Sequence, residues 1–255
     1  MFKTELHLHT PAVSPCCDIP AEEIAERYLA AGYHTVVVTD HFTPAVTRRE
    51  GAWSDTVEWF LSGYQRLKEL LAGRIHVLFG FELRFDGYAN DYLVYGLDAA
   101  FLRGARELPS LSRRAGCELI HEAGGMIFAA HPFRTNMTIS NTKLLDGVEV
   151  FNGTPHTDSR NQFANEWAKC FGLLRTSGSD FHGGCFLTVN GKRTWHPYSD
   201  DEYGNHYTIS GGILTDEPIR DTEQLKSILR GGDYSLICEG PAAEKSGMKT
   251  MPAKY

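Results

Sequence analysis

Two kinds of apolar spacing divide the chain into alternating strands and helices. Short continuous runs of β-branched residues, such as the three valines at 36–38, are typical of strands buried on both faces. Apolar positions three or four residues apart, such as Ile24 and Tyr28, are typical of helices with one buried face. The predicted strands are 4–10, 36–38, 75–85, 92–97, 126–133, 146–151, 173–177 and 210–214, and the predicted helices are 20–31, 54–72, 110–123, 160–171 and 222–230.

This alternation runs through nearly the whole chain, without an internal repeat or a low-complexity block. It favours an α/β fold with a parallel sheet, either open or closed into a barrel. Residues 183–207 interrupt the pattern, because they are polar, rich in glycine and aromatic. We expect a long loop or hairpin over the functional site there, and a ragged tail after Gly240.

Composition limits the classes of protein that the chain can belong to. With 255 residues, 42% of them hydrophobic and 22% charged, it can form one large α/β domain or two small ones. No apolar run approaches the ~20 residues of a membrane helix, and we expect no signal peptide. The six cysteines are scattered, which favours a reducing, cytoplasmic location. The net charge of −7 argues against nucleic acid as a partner, although bound divalent cations would locally reverse that sign.

The candidate chemistry begins in the first strand. His7 and His9 are two residues apart, so they point to the same face of the strand and form half of a metal site. Residues of the same kind follow several later strands, where α/β folds build their sites. These candidates are His41, Glu82, His131, Asp180 and His182.

Taken together, the motifs resemble one known family. HxH on the first strand is followed by TDH, by Glu82, by an HP pair and by SDFH, in that order. This order resembles the PHP family, the polymerase and histidinol phosphatase phosphoesterases, over roughly residues 1–240. The resemblance implies a distorted (β/α)7 barrel of the TIM type, with one catalytic domain at 1–240 and a C-terminal tail at 241–255.

The resemblance also implies a ligand set for two or three divalent ions. His7, His9, Glu82 and Asp180 would hold the first metal. Glu82 would bridge to a second metal, which also takes His131, since a shared carboxylate keeps two cations close despite their repulsion. The third metal would be held by His41 and His182.

Two positions depart from the family pattern. Asp91 stands where many members have a histidine, and a carboxylate is an acceptable replacement ligand. After the HxH motif the loop offers Cys16, Cys17 and Asp18 where a histidine or aspartate is usual. A thiolate would favour zinc, whereas a carboxylate leaves manganese or iron equally plausible.

As a function, the resemblance implies a metal-dependent phosphoric ester hydrolase. We expect a phosphomonoesterase, similar to histidinol phosphatase, in which a metal-activated hydroxide attacks a small phosphorylated metabolite. Arg134, in HPFR, either grips the phosphate or forms a surface ion pair. His182 or Asp180 is a candidate for protonating the leaving oxygen. The alternatives are an exonuclease or phosphodiesterase and a noncatalytic metal-binding regulatory module, and the oligomeric state stays open.

Three further residues near strand ends have two interpretations each. Asp40 either orients an imidazole or caps a turn. Glu149 and Asn152 are candidates for lining the site. For Asn152 the alternative is a simple turn residue at the end of the strand.

Overall fold

The structure of the protein, a computed structural model, describes residues 1–17, 19–155, 157–189, 192–197 and 209–254. The predicted ligand alternative Asp18 and the loop aromatics Tyr198, Tyr203 and Tyr207 lie outside these ranges. The strands are β1 (Phe2–Leu8), β2 (Tyr33–Val38), β3 (His41–Phe42), β4 (His76–Phe79), β5 (Phe81–Arg84), β6 (Asp91–Tyr95), β7 (Met126–Ala129), β8 (Gly147–Asn152), β9 (Leu174–Gly178), β10 (Gly184–Val189), β11 (Lys192–Pro197), β12 (Ile213–Thr215), β13 (Ser235–Leu236) and β14 (Met251–Pro252).

Helices connect these strands largely where the apolar spacing predicts them. The cap residues explain several of their ends: Ser112 and Asp221 accept hydrogen bonds from Ala115 N and Gln224 N, and Gly172 ends a helix in the left-handed conformation. None of the helices in the described ranges is long and apolar enough to cross a membrane. The helices are α1 (Ala21–Ala30), α2 (Pro44–Thr47), α3 (Trp53–Leu70), α4 (Phe101–Gly104), α5 (Arg113–Glu122), α6 (Asn161–Phe171), α7 (Thr222–Gly231) and α8 (Gly240–Ser246).

All of the described strands except β10 and β11 form two six-stranded sheets. The first has the order β14-β13-β12-β1-β2-β4 and the second has the order β3-β5-β6-β7-β8-β9. The sheets are neighbours along the chain, because β2 is separated from β3 only by Thr39 and Asp40, and β4 from β5 only by Gly80. The predicted α/β class is therefore confirmed.

The described strands do not close into a single barrel sheet, so this part of the prediction is wrong. One edge of β1 is occupied by β12, with which it pairs antiparallel. Just beyond β9 the chain meets β1 through a bridge between Leu8 and Phe181, with backbone hydrogen bonds from Asp180 N to His7 O at 3.0 Å and from His9 N to Phe181 O at 3.4 Å. The hydrogen bonding between strands is interrupted where the chain bends, at residues 39–40 and at Gly80, so the strands remain in two separate sheets.

The expected parallel pairing holds for β1–β2, β2–β4, β3–β5, β7–β8 and β8–β9, but not for β6. This strand is antiparallel to both β5 and β7. Only residues 85–90 connect β5 to β6, which is too short for a crossover helix. The short connection therefore fixes the reversed direction.

The interior between the two sheets is filled rather than open. The side chains of Tyr95 and Phe128 are fully buried there, with ring centroids 5.4 Å apart. The hydroxyl of Tyr95 on β6 donates to the carbonyl oxygen of Leu6 on β1 at 2.9 Å, which joins the two sheets across the core. This packing holds the ends of β1, β5 and β9 in fixed relation at the rim.

The segment after Gly240 is ordered, contrary to the expected ragged tail. It forms α8 and then β14, which pairs antiparallel with β13. The buried Arg175 donates to the carbonyl oxygens of Pro252 and Ala253 at 2.8–3.0 Å, which ties this segment to β9. In the region predicted as a loop or hairpin, β10 and β11 pair antiparallel from Gly184 opposite Pro197.

Candidate metal centre

The two histidines of β1 face each other at the rim. Nε2 of His7 lies 3.1 Å from Nε2 of His9. On the far side of each ring, His7 Nδ1 lies 2.8 Å from Glu149 Oε1, and His9 Nδ1 lies 3.2 Å from the hydroxyl of Ser14. Because Glu149 can only accept, the His7 proton is assigned to Nδ1, and the same tautomer suits His9. If a cation replaced the proton on His7 Nε2, two nitrogen lone pairs would point at one place and could bind it together.

Two carboxylates complete this arrangement. Oε1 of Glu82 is 3.6 Å from His7 Nε2, and Oε2 of the same residue is 3.4 Å from His9 Nε2. Oδ1 of Asp180 is 3.4 Å from His7 Nε2 and 3.3 Å from His9 Nε2. Four ligand atoms placed tetrahedrally at metal–ligand distances of about 2.1 Å are about 3.4 Å apart. The separations of 3.1–3.6 Å between the two histidines and the carboxylate oxygens therefore match this spacing, with a different oxygen of Glu82 facing each histidine.

A second group shares Glu82 with the first. Ligand atoms of Glu82, Asp91 and His131 lie within 4.8 Å of one another. Nε2 of His131 is 3.0 Å from Glu82 Oε1. Asp91, however, is also held by Arg84, whose Nε and Nη2 donate to Oδ1 and Oδ2 at 2.7 Å each. The predicted replacement ligand Asp91 therefore lies next to Glu82 and His131, but both of its carboxylate oxygens already accept hydrogen bonds from Arg84.

A third group lies on the other side of His9. Ligand atoms of His9, His41 and His182 lie within 4.8 Å of one another. The sulfur of Cys16 is 3.2 Å from His41 Nε2, so the thiol lies beside this group, and its role as a ligand stays a prediction. Hydrogen bonds to His182 and His41 outweigh the effect of burial and lower the pKa of the Cys16 thiol to about 6. The neighbouring Cys17 turns away, with its sulfur directed to the carbonyl oxygen of His9 at 3.6 Å.

Asp40 supports the centre from behind. Its carboxylate accepts hydrogen bonds from Thr10 N at 2.7 Å, from Thr10 Oγ1 at 2.6 Å and from Ser14 Oγ at 2.7 Å. Ser14 in turn contacts His9 Nδ1. Asp40 thus orients the His9 imidazole through Ser14, and it also fixes the loop that carries Cys16.

Glu149 and Asn152 line the site from β8. Glu149 holds His7 through Oε1 and accepts from the backbone N–H of His131 through Oε2 at 3.0 Å. The Asn152 amide nitrogen donates to the same Oε2 at 3.0 Å. One buried carboxylate therefore positions ligands on two different strands.

Backbone strain is concentrated at two of the candidate ligands. His131 has φ +29° and Asp180 has φ +50°, both in a region that L-residues rarely adopt. Strain of this kind persists only where the surroundings impose it, and it is common at functional sites. Here the backbone N–H of His131 is held by Glu149, and that of Asp180 by the carbonyl oxygen of His7.

Arg134 points into the site rather than to the surface. Its Nη2 donates to Asp180 Oδ2 at 2.7 Å and to Asn152 Oδ1 at 2.8 Å, and its Nε donates to Ser159 Oγ at 3.1 Å. The side chain is 17% exposed. The alternative of a surface ion pair is therefore wrong, and the guanidinium is placed where an anion beside the carboxylates would meet it.

The charges of the centre are unbalanced in a way that a cation would relieve. Burial opposes protonation of His7, but the carboxylates of Asp180, Glu149 and Glu82 outweigh it and raise the pKa of His7 well above its usual value. Burial and the neighbouring His182 and His41 lower the pKa of His9 well below its usual value. The carboxylates thus favour protonation of both rings, but they outweigh burial only for His7.

Unpartnered polar atoms point to the same conclusion. Among the described residues, His41 Nδ1, Glu82 Oε2 and His131 Nδ1 are buried without a hydrogen-bond partner. The first two are only 2.7 Å apart, yet they lack hydrogen-bond alignment. Buried polar atoms left without partners are costly. The donor set of imidazole nitrogens and carboxylate oxygens therefore fits divalent ions such as zinc, manganese or iron.

Apart from Asp18, which lies outside the described residues, the structure brings together the residues selected from the sequence, since each lies in one of these groups or contacts one. Sequence reasoning missed Ser14 and Ser159, which orient His9 and Arg134. A single serine in a loop carries no spacing pattern, so no sequence signal was available for either. The roles of these residues as ligands or catalytic groups remain predictions.

No protein-family model matches the chain. A curated relative, the 5'-3' exoribonuclease of Haemophilus influenzae, is 40% identical over 117 residues, which are 42% of this chain and 40% of that protein. The chain therefore shares sequence with well under half the length of this relative.

Several solved structures share the fold. A two-domain protein from Bacteroides vulgatus that contains a predicted PHP-like metal-dependent phosphoesterase has a TM-score of 0.61 at 14% identity, over 93% of this chain and 65% of that one. The lesion-specific Endonuclease Q of Pyrococcus furiosus has a TM-score of 0.56 at 13% identity, over 92% of this chain and 57% of that one. The resemblance to PHP-type proteins is therefore confirmed for the fold.

One further neighbour corrects a prediction about partners. Endonuclease Q in complex with a 27-mer duplex, with an abasic lesion at the active site, has a TM-score of 0.52 at 13% identity, over 90% of this chain and 56% of that one. The inference from net charge against nucleic acid is therefore wrong, because a protein with this fold accommodates a DNA duplex. Net charge summed over a whole chain does not describe the local field of a site that holds cations.

Proposed function

We propose that this protein, which has the fold of the PHP-type phosphoesterases, hydrolyses phosphate esters with the help of two or three divalent metal ions. The observation that carries the proposal is the meeting of His7, His9, Glu82 and Asp180 at spacings of 3.1–3.6 Å. Glu82 links this group to His131 and Asp91, while Cys16, His41 and His182 form the third group.

When bound, the metal ions supply Lewis acidity and lower the pKa of water, which are the two requirements of phosphate ester hydrolysis near neutral pH. The protein's own side chains do the remaining work. Arg134 is free to donate to the oxygens of a phosphate while it remains against Asp180 and Asn152, so it places the ester beside the ligand cluster. We assign Arg134 to substrate binding and to neutralising charge on the phosphate.

Asp180 and His182 were both candidates for the acid that protonates the leaving oxygen. Burial is outweighed by His7 and Arg134, which hold the pKa of Asp180 well below its usual value, so this carboxyl carries no proton near neutral pH. Nδ1 of His182 is 2.8 Å from the carbonyl oxygen of Asp180, which places the ring proton there and leaves Nε2 as a lone-pair donor. We therefore assign both residues to metal binding rather than to proton donation.

The substrate class has two candidates. A small phosphorylated metabolite, cleaved as in histidinol phosphatase, needs only the metal cluster and Arg134. A polynucleotide is favoured by one specific observation, the 40% identity over 117 residues with a 5'-3' exoribonuclease. Both reactions use the same centre, so they differ only in what lies beyond the phosphate.

The test combines metal analysis with two substrates. The purified protein is stripped with a chelator, reloaded with Mn²⁺, Zn²⁺ or Fe²⁺ and analysed for bound metal by mass spectrometry. Phosphate release from a panel of small monoesters is compared with shortening of a 5'-phosphorylated single-stranded RNA. We expect turnover that depends on metal and that falls at least 100-fold in Glu82→Gln.

A matched control uses another carboxylate of the same segment. Asp86 lies just beyond β5 and pairs with Arg48 at the surface, so Asp86→Asn should leave both metal content and turnover unchanged. Bound metal without turnover of any ester would contradict the proposal and favour a noncatalytic metal-binding module.

A further inference from the structure

A cavity of about 370 Å³ opens next to Arg134, between the start of α6 and α8. Its walls come from residues 152, 154–155 and 157–163 on one side and from residues 241–242 and 245–246 on the other. This is the size range of small-molecule binding sites. No proposed metal ligand lines the cavity, so the metal centre alone does not explain it.

The cavity adjoins the candidate metal centre through two residues that contact Arg134. Asn152 and Ser159 line it, and both accept hydrogen bonds from Arg134. The same guanidinium reaches Asp180 on its other side. A phosphate held by Arg134 would therefore have the metal ligands on one side and the cavity on the other, and the group esterified to it would extend into the cavity.

We propose that this cavity is a nucleoside subsite, which receives one nucleoside of a single-stranded polynucleotide whose scissile phosphate is held at the metal centre. The inference rests on the proposed phosphoesterase function and specifies its substrate. Three features of the cavity support this occupant: its polar lining, an exposed aromatic ring and cationic side chains at the rim.

The lining and the ring suit the sugar and the base. Thr154 and Ser159 line the cavity and offer hydroxyls to the hydroxyl groups of a sugar. Phe163 also lines it and is 64% exposed, which is unusual for a phenylalanine. Its ring lies 6.3 Å from that of Phe133, which supports it from behind. An exposed, supported aromatic ring is the usual platform on which single-stranded bases stack.

The rim of the cavity carries positively charged side chains that suit the next phosphate of the polynucleotide. Arg160 and Lys245 both line the opening, and both are exposed. Lys245 Nζ lies 4.0 Å from Asp158 Oδ2, so its only acidic neighbour within the described residues is at the limit of an ion pair. Arg160 is held at φ +50°, and its backbone N–H donates to Asp158 Oδ1 at 3.0 Å. A strained basic residue at the cavity mouth is consistent with a binding role.

The experiment measures binding and turnover separately. Binding is followed by the fluorescence anisotropy of a labelled RNA trinucleotide with phosphorothioate linkages, in the presence of Mn²⁺. We expect Phe163→Ala to weaken binding about 10-fold, since the base loses its stacking partner, and Lys245→Gln to weaken it about 3-fold with a smaller salt dependence. In turnover, the ratio of kcat/KM for the unmodified trinucleotide to that for glycerol 2-phosphate should fall by the same factors.

Matched controls come from the same helix. Phe171 is 58% exposed at the far end of α6 and Lys169 is exposed beside it, and neither lines the cavity. Phe171→Ala and Lys169→Gln should bind the trinucleotide as the wild type does. A DNA trinucleotide in the same assay shows whether the 2'-hydroxyl contributes.

The outcomes separate this inference from the proposed function. Equal binding by wild type, Phe163→Ala and Lys245→Gln would overturn the nucleoside subsite, even if glycerol 2-phosphate is hydrolysed. Weakened binding in these two variants but not in the controls would support the subsite, even if no ester is turned over and the proposed function fails. Circular dichroism and thermal melting of each variant confirm that the fold is retained.

Discussion

Arg84 and Asp91 form a two-pronged ion pair at the edge of the candidate metal centre. The guanidinium donates to both carboxylate oxygens at 2.7 Å, and Asp91 is buried while Arg84 is 42% exposed. In this geometry the lone pairs of Asp91 that a metal would use best are already taken by Arg84. The pair therefore competes with any cation held between Glu82, Asp91 and His131.

Removing the guanidinium should strengthen metal binding at this second group. We predict that Arg84→Met binds the second Mn²⁺ equivalent about 3- to 10-fold more tightly than the wild type, because Asp91 gains a free carboxylate. Titration calorimetry of the metal-stripped protein measures the affinity of each equivalent. Arg48→Met is the matched control, because it breaks the exposed pair with Asp86 and should change no metal affinity. Weaker binding of the second equivalent in Arg84→Met would show that Arg84 orients Asp91 for the metal instead.

Metal removal should change how the stability of the protein depends on pH. The carboxylates around His7 raise its pKa well above 6.5, and Glu82 does the same for His41, in each case against burial. A raised histidine pKa stabilises the folded state fully below the unfolded value of 6.5, and this stabilisation is lost as pH rises through the folded value. The lowered pKa of His9 has the opposite effect on stability, but it is one residue against the two raised histidines, His7 and His41.

We therefore predict that the metal-free protein loses about 1–3 kcal/mol of unfolding free energy between pH 6 and pH 9. Below pH 5 it should also lose stability, because the pKa of Glu82 and of Asp180 is held well below its usual value and these carboxylates then take up protons. Urea unfolding with and without Mn²⁺ measures both effects. With metal bound, stability should instead rise above pH 6, because cations replace the protons on the ligands. An identical pH profile with and without metal would contradict the assignment of these groups as ligands.

Cys16 should behave as a thiolate at neutral pH in the metal-free protein. Its pKa is lowered to about 6, because hydrogen bonds to His182 and His41 outweigh burial. In a Cys170→Ser background, which removes an exposed competing thiol, iodoacetamide should alkylate Cys16 with a midpoint near pH 6, and bound Zn²⁺ should protect it. Mass spectrometry of the labelled peptide gives the pH profile. A midpoint above pH 8, or alkylation unaffected by zinc, would exclude Cys16 from the third group.

The centre was largely predictable because its ligands follow simple geometric rules. Alternation along a strand put His7 and His9 on one face, and the ends of neighbouring strands put Glu82 and Asp180 at the same rim. The division of labour among the ligands came from the family resemblance rather than from spacing. The two departures from the family pattern, at Cys16 and Asp91, were also visible in the sequence.

What the sequence could not provide depends on contacts between distant segments. Nothing local marks Asp91 as the partner of Arg84, or Ser159 as a partner of Arg134. The reversed direction of β6, by contrast, follows from a connection of six residues that the predicted strands 75–85 and 92–97 already left, although the overall alternation favoured parallel pairing. The break between the two sheets lies at Gly80, inside a run that reads as one continuous strand.

Glu5 provides the most demanding test of how the rim is held together. Its carboxylate is fully buried on β1 and accepts hydrogen bonds from the backbone N–H groups of Leu6, His7 and Ser179, and from the hydroxyls of Tyr28 and Ser179. Burial raises the pKa of Glu5, while Ser179 and His7 oppose the rise. Because Ser179 directly precedes Asp180, Glu5 fixes the position of a candidate ligand without touching the site.

We predict that Glu5→Gln destabilises the protein by about 1–3 kcal/mol, although glutamine has almost the same shape. The Ser179 hydroxyl already accepts hydrogen bonds from the backbone N–H groups of Ser210 and Gly211, so it has no lone pair left for the new amide N–H. The first metal should bind more weakly as well, since Asp180 loses its support. Urea unfolding and metal titration measure the two effects, with the exposed Glu26→Gln on α1 as the matched control. If Glu5→Gln were as stable as Glu26→Gln, Glu5 would be protonated in the folded state, and its carboxylate would not be what orders the rim.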